Sequence, residues 1–263
     1  MNYFFEIMLT IAIFTRWENQ KLLNLIKDLE NQDFRNFEIK IYSDIFFKYD
    51  KQVINTKWKN ISKKRNLAIS ECKTNFLFLL DDDNRIYNKK FLSNLIKTYK
   101  NINYEKKIIS PTIYWRNTKT IQSAGIKFCY LFGKVIVNKK IKWEYWETKW
   151  MWWNSLFWET KIFKISQFDE NIWFIREDID YCYSLWEKWV KIFVSKIWIN
   201  HIEKDKNIAE KSFVYGNIFK RKIRNRNIFV KKHWNIFEKI MYWTIWYSLW
   251  IIYWKIIRKI VEK

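Results

Sequence analysis

Phe76-Leu77-Phe78-Leu79-Leu80 runs unbroken into Asp81-Asp82-Asp83-Asn84. A short apolar run of this kind reads as a strand buried on both faces, as in a parallel sheet. Its abrupt acidic end opens into a site, because ligands of open α/β sheets bind at the carboxyl ends of strands. Carboxylates crowded there repel one another unless a cation sits between them. Asp81 and Asp83, one residue apart, suit a hard divalent ion that also holds substrate phosphates. A solvated acidic turn would explain the acids equally well if they stood alone.

The surrounding pattern supports a sheet. Leu9 to Thr15 predicts a first strand, and Leu22, Leu23, Leu25, Ile26 and Leu29 follow at helical spacing. Phe37 to Tyr42 predicts a second strand ending at Ser43-Asp44, and Asn60 to Ser70 a helix carrying Lys63, Lys64, Arg65 and Asn66. Phe91 to Tyr99 predicts another helix after the acidic strand. This alternation implies an α/β fold with a mostly parallel, Rossmann-like sheet flanked by helices. Further on, Ile108 to Pro111 predicts a strand leading into a turn, with bends at Gly125 and Gly133. A short helix is expected over Lys161 to Ile165, a loop from Phe168, a helix over Arg176 to Lys188, and two short strands over Val190 to Val194 and Lys196 to Ile199.

The chain is long enough for one α/β domain, placed at 1–205, plus a helical extension, 206–263. The extension is basic from Lys220 to Lys232, then uncharged and apolar from Ile240 to Trp254. That apolar stretch is shorter than the about 20 residues a spanning helix needs. It resembles an interfacial helix beside a polybasic segment, which favours a cytoplasmic membrane surface. A helix docked on the catalytic domain is the plainer alternative. The net charge of +22 points to anionic partners. Cys72, Cys129 and Cys182 are odd in number and lack metal-type spacing, so they read as reduced thiols of a cytosolic protein. No secretory signal is expected at the N-terminus.

Tryptophan is out of proportion: Trp 18 against Gly 3. Together the two make about 8% of the chain, close to the ordinary glycine share of about 7%. Several tryptophans stand where backbone physics wants glycine. Trp152 and Trp153 form a doublet before Asn154, and Trp17 and Trp58 sit at expected turns. Trp189 follows a helix end, the place where glycine supplies a left-handed residue. Some genetic codes read UGA as glycine, and translating such a gene with UGA as tryptophan would produce this pattern. Most of these tryptophans are therefore read as glycines.

A second acidic segment is Arg176-Glu177-Asp178-Ile179-Asp180. Acids at a helix mouth satisfy its dipole, but three beside an arginine also suit a general base acting on an acceptor hydroxyl. Of the His 2 in the chain, His201 follows a strand end and can complete a metal site near two aspartates. His233 lies in the basic segment and reads as a surface residue.

In this order, the motifs resemble family 2 glycosyltransferases of the GT-A fold, in particular their rhamnosyltransferase-like branch. The resemblance rests on Leu9 to Arg16, Phe37 to Asp44, Lys64-Arg65-Asn66-Leu67-Ala68, the D-x-D motif Asp81-Asp82-Asp83, and Ile121-Gln122-Ser123-Ala124-Gly125. It continues through Phe168-Asp169-Glu170, Glu177-Asp178-Ile179-Asp180, Asn200-His201 and Arg224-Asn225-Arg226. It implies an inverting transferase with Asp178 as catalytic base and Glu177 positioning the acceptor. Asp44 would contact the nucleotide base, Asp81 the ribose or the metal, and Arg65 the donor. Thr15, Asn66 and Asp82 would complete the nucleotide-sugar site. Asp83, Asp81 and His201 would hold Mn²⁺ or Mg²⁺, and Trp152, Trp153 and Arg176 would face the acceptor. That acceptor is expected to be a glycan or lipid-linked hydroxyl of a growing surface polysaccharide, at the inner face of the cytoplasmic membrane. Ser43 departs from the acid usual at that strand end, and no Q-x-x-R-W motif of processive synthases is present. A basic nucleic-acid-binding protein remains an alternative on charge alone, but no nucleic-acid module is recognisable and no nucleic-acid partner is expected. An inactive scaffold of the same fold is a further alternative.

Overall fold

The computed structural model describes residues 8–57, 60–115, 118–129, 134–149, 155–172, 176–202, 218–236, 238–245 and 247–248. Trp58, Gly133, Trp152, Trp153, Trp246, Trp250 and Trp254 lie outside the described residues. In chain order the first half contains β1 (Leu9–Thr15), α1 (Gln20–Glu30), β2 (Phe37–Ser43), β3 (Gln52–Asn55), α2 (Ile61–Glu71), β4 (Phe76–Asp81), β5 (Asn84–Arg85) and α3 (Phe91–Asn101). The second contains β6 (Lys107–Trp115), β7 (Ile121–Ser123), β8 (Ile126–Cys129), β9 (Lys134–Val137), β10 (Tyr145–Thr148), β11 (Ser155–Glu159), α4 (Thr160–Phe163), α5 (Glu177–Trp186), β12 (Lys191–His201) and α6 (Ile218–His233).

Among the described residues ten strands form one sheet, ordered β10-β12-β6-β11-β4-β1-β2-β3, with β5 added to β12 and β7 to β6. The block β4-β1-β2-β3 is parallel throughout, as is the β12/β6 pair. The strand order reverses between β1 and β4, the place where a doubly wound sheet opens its binding crevice. Every residue of β1 is buried, and β4 is buried up to Leu80. Their unbroken apolar character follows from having helices or loops on both faces. Helix α1 starts where the Asn19 side chain caps the Lys21 and Leu22 N–H groups, and it buries Leu22, Leu25, Ile26 and Leu29. Asn60 caps α2 in the same way.

Two expectations need correction. Pro111 does not end its strand: β6 continues to Trp115. The expected pair of short strands is one strand, β12, with its register against β6 shifting between Ser195 and Trp198. The two departures share a cause. Pro111 lies opposite Ser195, at the edge of that bulge, so the missing proline N–H falls where the ladder is already interrupted. Thr112 Oγ1 closes the gap by donating to Ser195 O at 2.6 Å.

Gly125 has φ +99°, and a Cβ there would stand 2.9 Å from Thr148 Oγ1, so this bend requires glycine. Helix α6 packs on α5 through Phe229, which meets Tyr183 edge-on at 5.4 Å.

Candidate functional site

Because β1 and β4 run parallel in register, Thr15 and Asp82 emerge at the same edge. Thr15 Oγ1 lies 2.6 Å from Asp82 Oδ2, and Asn19 Nδ2 donates to the same oxygen at 2.8 Å. Burial raises the Asp82 carboxyl, while these two hydrogen bonds pull it back down. Thr15 therefore acts on this edge by orienting Asp82. Asn19 was not singled out by the sequence, where its helix-capping position hides its second contact.

Asp44, at the end of β2, forms an ion pair with Lys64 Nζ at 2.8 Å. Lys64 also donates to Thr15 O at 2.9 Å. Burial lowers the Lys64 ammonium and the Asp44 charge works against that. In the sequence Lys64 is only one of several cations, and nothing marks it as the buried one.

Arg65, with 3% side-chain exposure, lies between two acidic groups. Its Nη1 is 3.2 Å from Glu177 Oε1 and its Nη2 is 3.5 Å from Asp81 Oδ1. Asn66, expected beside the donor, instead turns to the loop after α4. It donates to Phe168 O at 3.0 Å and accepts from Phe168 N–H at 2.8 Å. The 168–170 segment is thereby tied to the helix that carries Arg65.

Burial pushes the Asp81 carboxyl up to about 7, against the pull of Arg65, with Asp83 and Asp82 adding to the rise. Its side chain keeps 33% exposure, so solvent shares in setting that value. Burial also acts upward on Asp83, but His201 and Lys21 override it and hold that carboxyl below its ordinary value. His201 reaches Asp83 because β12 pairs antiparallel with β5, setting His201 opposite Asn84. Nε2 of His201 is 3.1 Å from Asp83 Oδ2, and Nδ1 is 2.9 Å from Gln122 Oε1.

No group of three His, Cys, Asp or Glu side chains among the described residues stands in ligating arrangement. One observation fits a cation nonetheless. Asp83 Oδ1 is buried without a hydrogen-bond partner, and beside it lies an imidazole nitrogen. A carboxylate oxygen and an imidazole suit Mn²⁺.

At the mouth of α5, Arg176 adopts a left-handed conformation with φ +74°. Its carbonyl accepts the Asp180 N–H at 3.0 Å, so the turn closes under the two acids. Glu177 Oε2 is buried with no hydrogen-bond partner. Burial pushes the Asp178 carboxyl up to about 7, helped by Glu177 and opposed by the Ile179 N–H and Arg65. Asp178 Oδ1 accepts that N–H at 2.7 Å. Arg176 is lowered by burial and by Arg226, and is held up by Tyr242 and Asp178.

His233 is not a surface residue. Its side chain is 1% exposed, with Nε2 2.8 Å from Asp180 Oδ1 and Nδ1 3.2 Å from Glu187 Oε2. Lys232 Nζ meets the other Asp180 oxygen at 2.7 Å. The basic stretch lies on a helix, and its Asn225, Phe229, Val230 face turns inward and takes His233 with it.

No family model and no curated protein matches the sequence. Solved structures match the fold. TarS 1-349 of S. aureus superposes with a TM-score of 0.55 at 14% identity, covering 89% of this chain and 77% of that one. TarS 1-349 in complex with UDP gives 0.56 at 14% identity, covering 89% and 69%. TarS 1-349 in complex with UDP-GlcNAc gives 0.53 at 14% identity, covering 90% and 79%. Of a longer TarS structure the chain spans 47%. Likeness at this identity establishes the architecture, which is the GT-A fold anticipated from the motifs.

Proposed function

We propose that this protein is an inverting, metal-dependent glycosyltransferase of the family 2, rhamnosyltransferase-like type. It takes a nucleoside-diphosphate sugar and glycosylates a hydroxyl of a glycan or lipid-linked acceptor. The observation that carries this reading is Arg65, which joins the acidic end of β4 to the acidic mouth of α5. The two ends of one reaction are thereby held together. The likeness to structures captured with UDP and UDP-GlcNAc supports a nucleotide-sugar donor.

Asp83 and His201, with Asp81 beside them, would hold Mn²⁺ or Mg²⁺. When bound, such an ion neutralises charge on the diphosphate leaving group. Asp82, steadied by Thr15 and Asn19, and Asp44, steadied by Lys64, line the donor side. Glu177, whose buried Oε2 has no hydrogen-bond partner, would position the acceptor. Asp178 removes the acceptor hydroxyl proton as that oxygen bonds the anomeric carbon from the face opposite the diphosphate. The bond from the anomeric carbon to the diphosphate oxygen breaks, and its electron pair leaves with the diphosphate. One displacement inverts the centre. The test is incubation with nucleotide sugars and hydroxyl acceptors, with product anomers read by NMR. An α-linked donor is expected to give a β-glycoside. A retained configuration contradicts the mechanism.

We further infer that the tryptophan excess is recoded glycine. Trp189 supports it: φ is +62°, and the flanking bonds Val190 N–H to Leu185 O and Trp189 N–H to Trp186 O, both 3.0 Å, form a Schellman ending. Trp158 supports it too, stacked on Phe163 with centroids 3.2 Å apart, well inside the about 4.5–7 Å that aromatic pairs prefer. Trp189→Gly is expected to raise stability by roughly 0.5–1 kcal/mol. The gain is left-handed strain of about 1–2 kcal/mol less the extra unfolded-state freedom of glycine. Thermal unfolding of the two proteins checks this, and UGG codons at these positions in the gene would end the recoding idea.

The cytoplasmic membrane surface is the proposed location. No helix among the described residues is long and apolar enough to cross a membrane. Ile236, Ile240, Trp243 and Tyr247 are exposed next to basic α6. Binding to vesicles containing anionic lipid, weakening as salt rises, is the expected result. Equal binding to neutral vesicles would contradict the electrostatic part.

A further inference from the structure

The Ile121-Gln122-Ser123 strand has no role in the chemistry described so far, yet Gln122 reaches the ring of His201. Strand β6 has β12 parallel along its whole length on one edge and β7 antiparallel at Ile113 and Tyr114 on the other, with Ile113 opposite Ser123 and Trp115 opposite His201. The short β7 is therefore fixed where its middle residue meets the end of β12. Gln122 Oε1 stands 2.9 Å from His201 Nδ1, while Asp83 Oδ2 stands 3.1 Å from Nε2 on the other side of the ring. The Trp115 ring lies 5.7 Å from the imidazole, centroid to centroid, and limits how it can swing. The His201 side chain is 15% exposed, so neither nitrogen is freely solvated.

An amide oxygen only accepts, so Nδ1 must carry the hydrogen in this contact. The contact of Nε2 with Asp83 Oδ2 is a hydrogen bond only while Nε2 carries a hydrogen as well; a cation takes the place of that hydrogen, and with Nδ1 still protonated the neutral ring then offers its lone pair from Nε2. That nitrogen faces Asp83, whose Oδ1 has no hydrogen-bond partner. The ring nitrogen suited to a cation is thus the one that faces Asp83, and the amide of Gln122 selects it.

We propose that Gln122 is a positioning residue for the metal site. It fixes the tautomer and the plane of His201, so that Nε2 and Asp83 present a ready pair of ligands to Mn²⁺. The proposal rests on the metal-dependent reading above, and it places Gln122 behind the ligand rather than on the ion. Partners of this kind orient metal-bound histidines and typically contribute about 10–100-fold in affinity.

The test is Mn²⁺ affinity, measured by electron paramagnetic resonance of free Mn²⁺ in the presence of UDP. Wild type, Gln122→Met and Gln122→Glu are compared, each shown to be folded by its thermal transition. Methionine keeps the length of the side chain but cannot accept the Nδ1–H, whereas glutamate can. Gln122→Met is expected to weaken Mn²⁺ by at least about 10-fold, and Gln122→Glu to bind as tightly as wild type or more so. Equal affinity in Gln122→Met overturns the positioning role. Equal loss in both variants also overturns it, since that is the pattern of a packing defect. A wild-type protein that binds no Mn²⁺ with UDP refutes the metal-dependent reading itself, and this outcome is distinct from the other two.

Discussion

Asp178→Asn lowers kcat by about 1,000-fold, within the range of about 10²–10⁴ for a positioned general base, while the affinity for nucleotide is unchanged. Asparagine keeps the shape and can still accept the Ile179 N–H, but it cannot take a proton. The wild-type pH profile carries the same signature. Burial and Glu177 push Asp178 up to about 7, so the working carboxylate forms only as pH rises through that value. Activity is expected to climb to a plateau above it, and the asparagine variant to show no such rise. The stability effect has the opposite sign. The folded carboxyl binds its proton more tightly than the unfolded one, whose value is near 3.9. Its contribution to stability is complete below about 4 and is lost as pH rises through about 7. The residue that makes the reaction possible thus costs the fold stability at the pH where it works.

Asp180→Ala is expected to lower stability by about 3–5 kcal/mol, the usual consequence of removing one partner from a buried ionic group. Asp180 is fully buried and its two oxygens are taken by Lys232 and His233 of α6. Alanine would leave the buried His233 ring without the Asp180 carboxylate, whereas Lys232 is exposed and keeps Asp169 at 3.4 Å. A fall in Tm of roughly 10 °C follows for a chain of this size. Replacing the cluster as a unit, Asp180→Leu with Lys232→Met and His233→Phe, should recover much of the loss, because well-packed apolar substitutes match buried ion pairs. A Tm for Asp180→Ala within about 2 °C of wild type, a change of less than roughly 1 kcal/mol, would show that α6 is not anchored there. The contact matters for function because Asp180 lies on the same first turn of α5 as Glu177 and Asp178.

Much of the first half of the fold was legible in the sequence because its signals are local. Strands β1, β2 and β4 are continuous or alternating apolar runs, and α1 and α3 carry clean helical periodicity. The acidic clusters stood out because carboxylates are costly to gather without a purpose. What escaped depends on non-local pairing. β5 is only Asn84–Arg85 and exists because β12 lies beside it. β11 inserts antiparallel beside β4, 75 or more residues later in sequence than its partner, with no local mark of that destination. Pro111 signals a turn, and only the bulge opposite it explains why none forms. Side-chain partnerships were hidden for a related reason. Lys64, Arg65 and Asn66 are neighbours on one helix, yet they serve Asp44, the Asp81–Glu177 pair and the 168–170 loop respectively. His233 looked solvent-facing in a run of cations, and its burial follows from the packing of α6 against α5.

The most direct test of the central claim is calorimetric titration with UDP, dTDP and GDP, each with Mn²⁺ and then with EDTA, on wild type and Asp83→Ala. Protein with glycine at the suspect tryptophan positions is tested alongside the written sequence. One nucleotide is expected to bind in a metal-dependent manner, with binding lost on chelation and in Asp83→Ala. If no nucleotide binds either protein with Mn²⁺ present, the acidic end of β4 is not a nucleotide-sugar site, and the account of this protein as a transferase is contradicted.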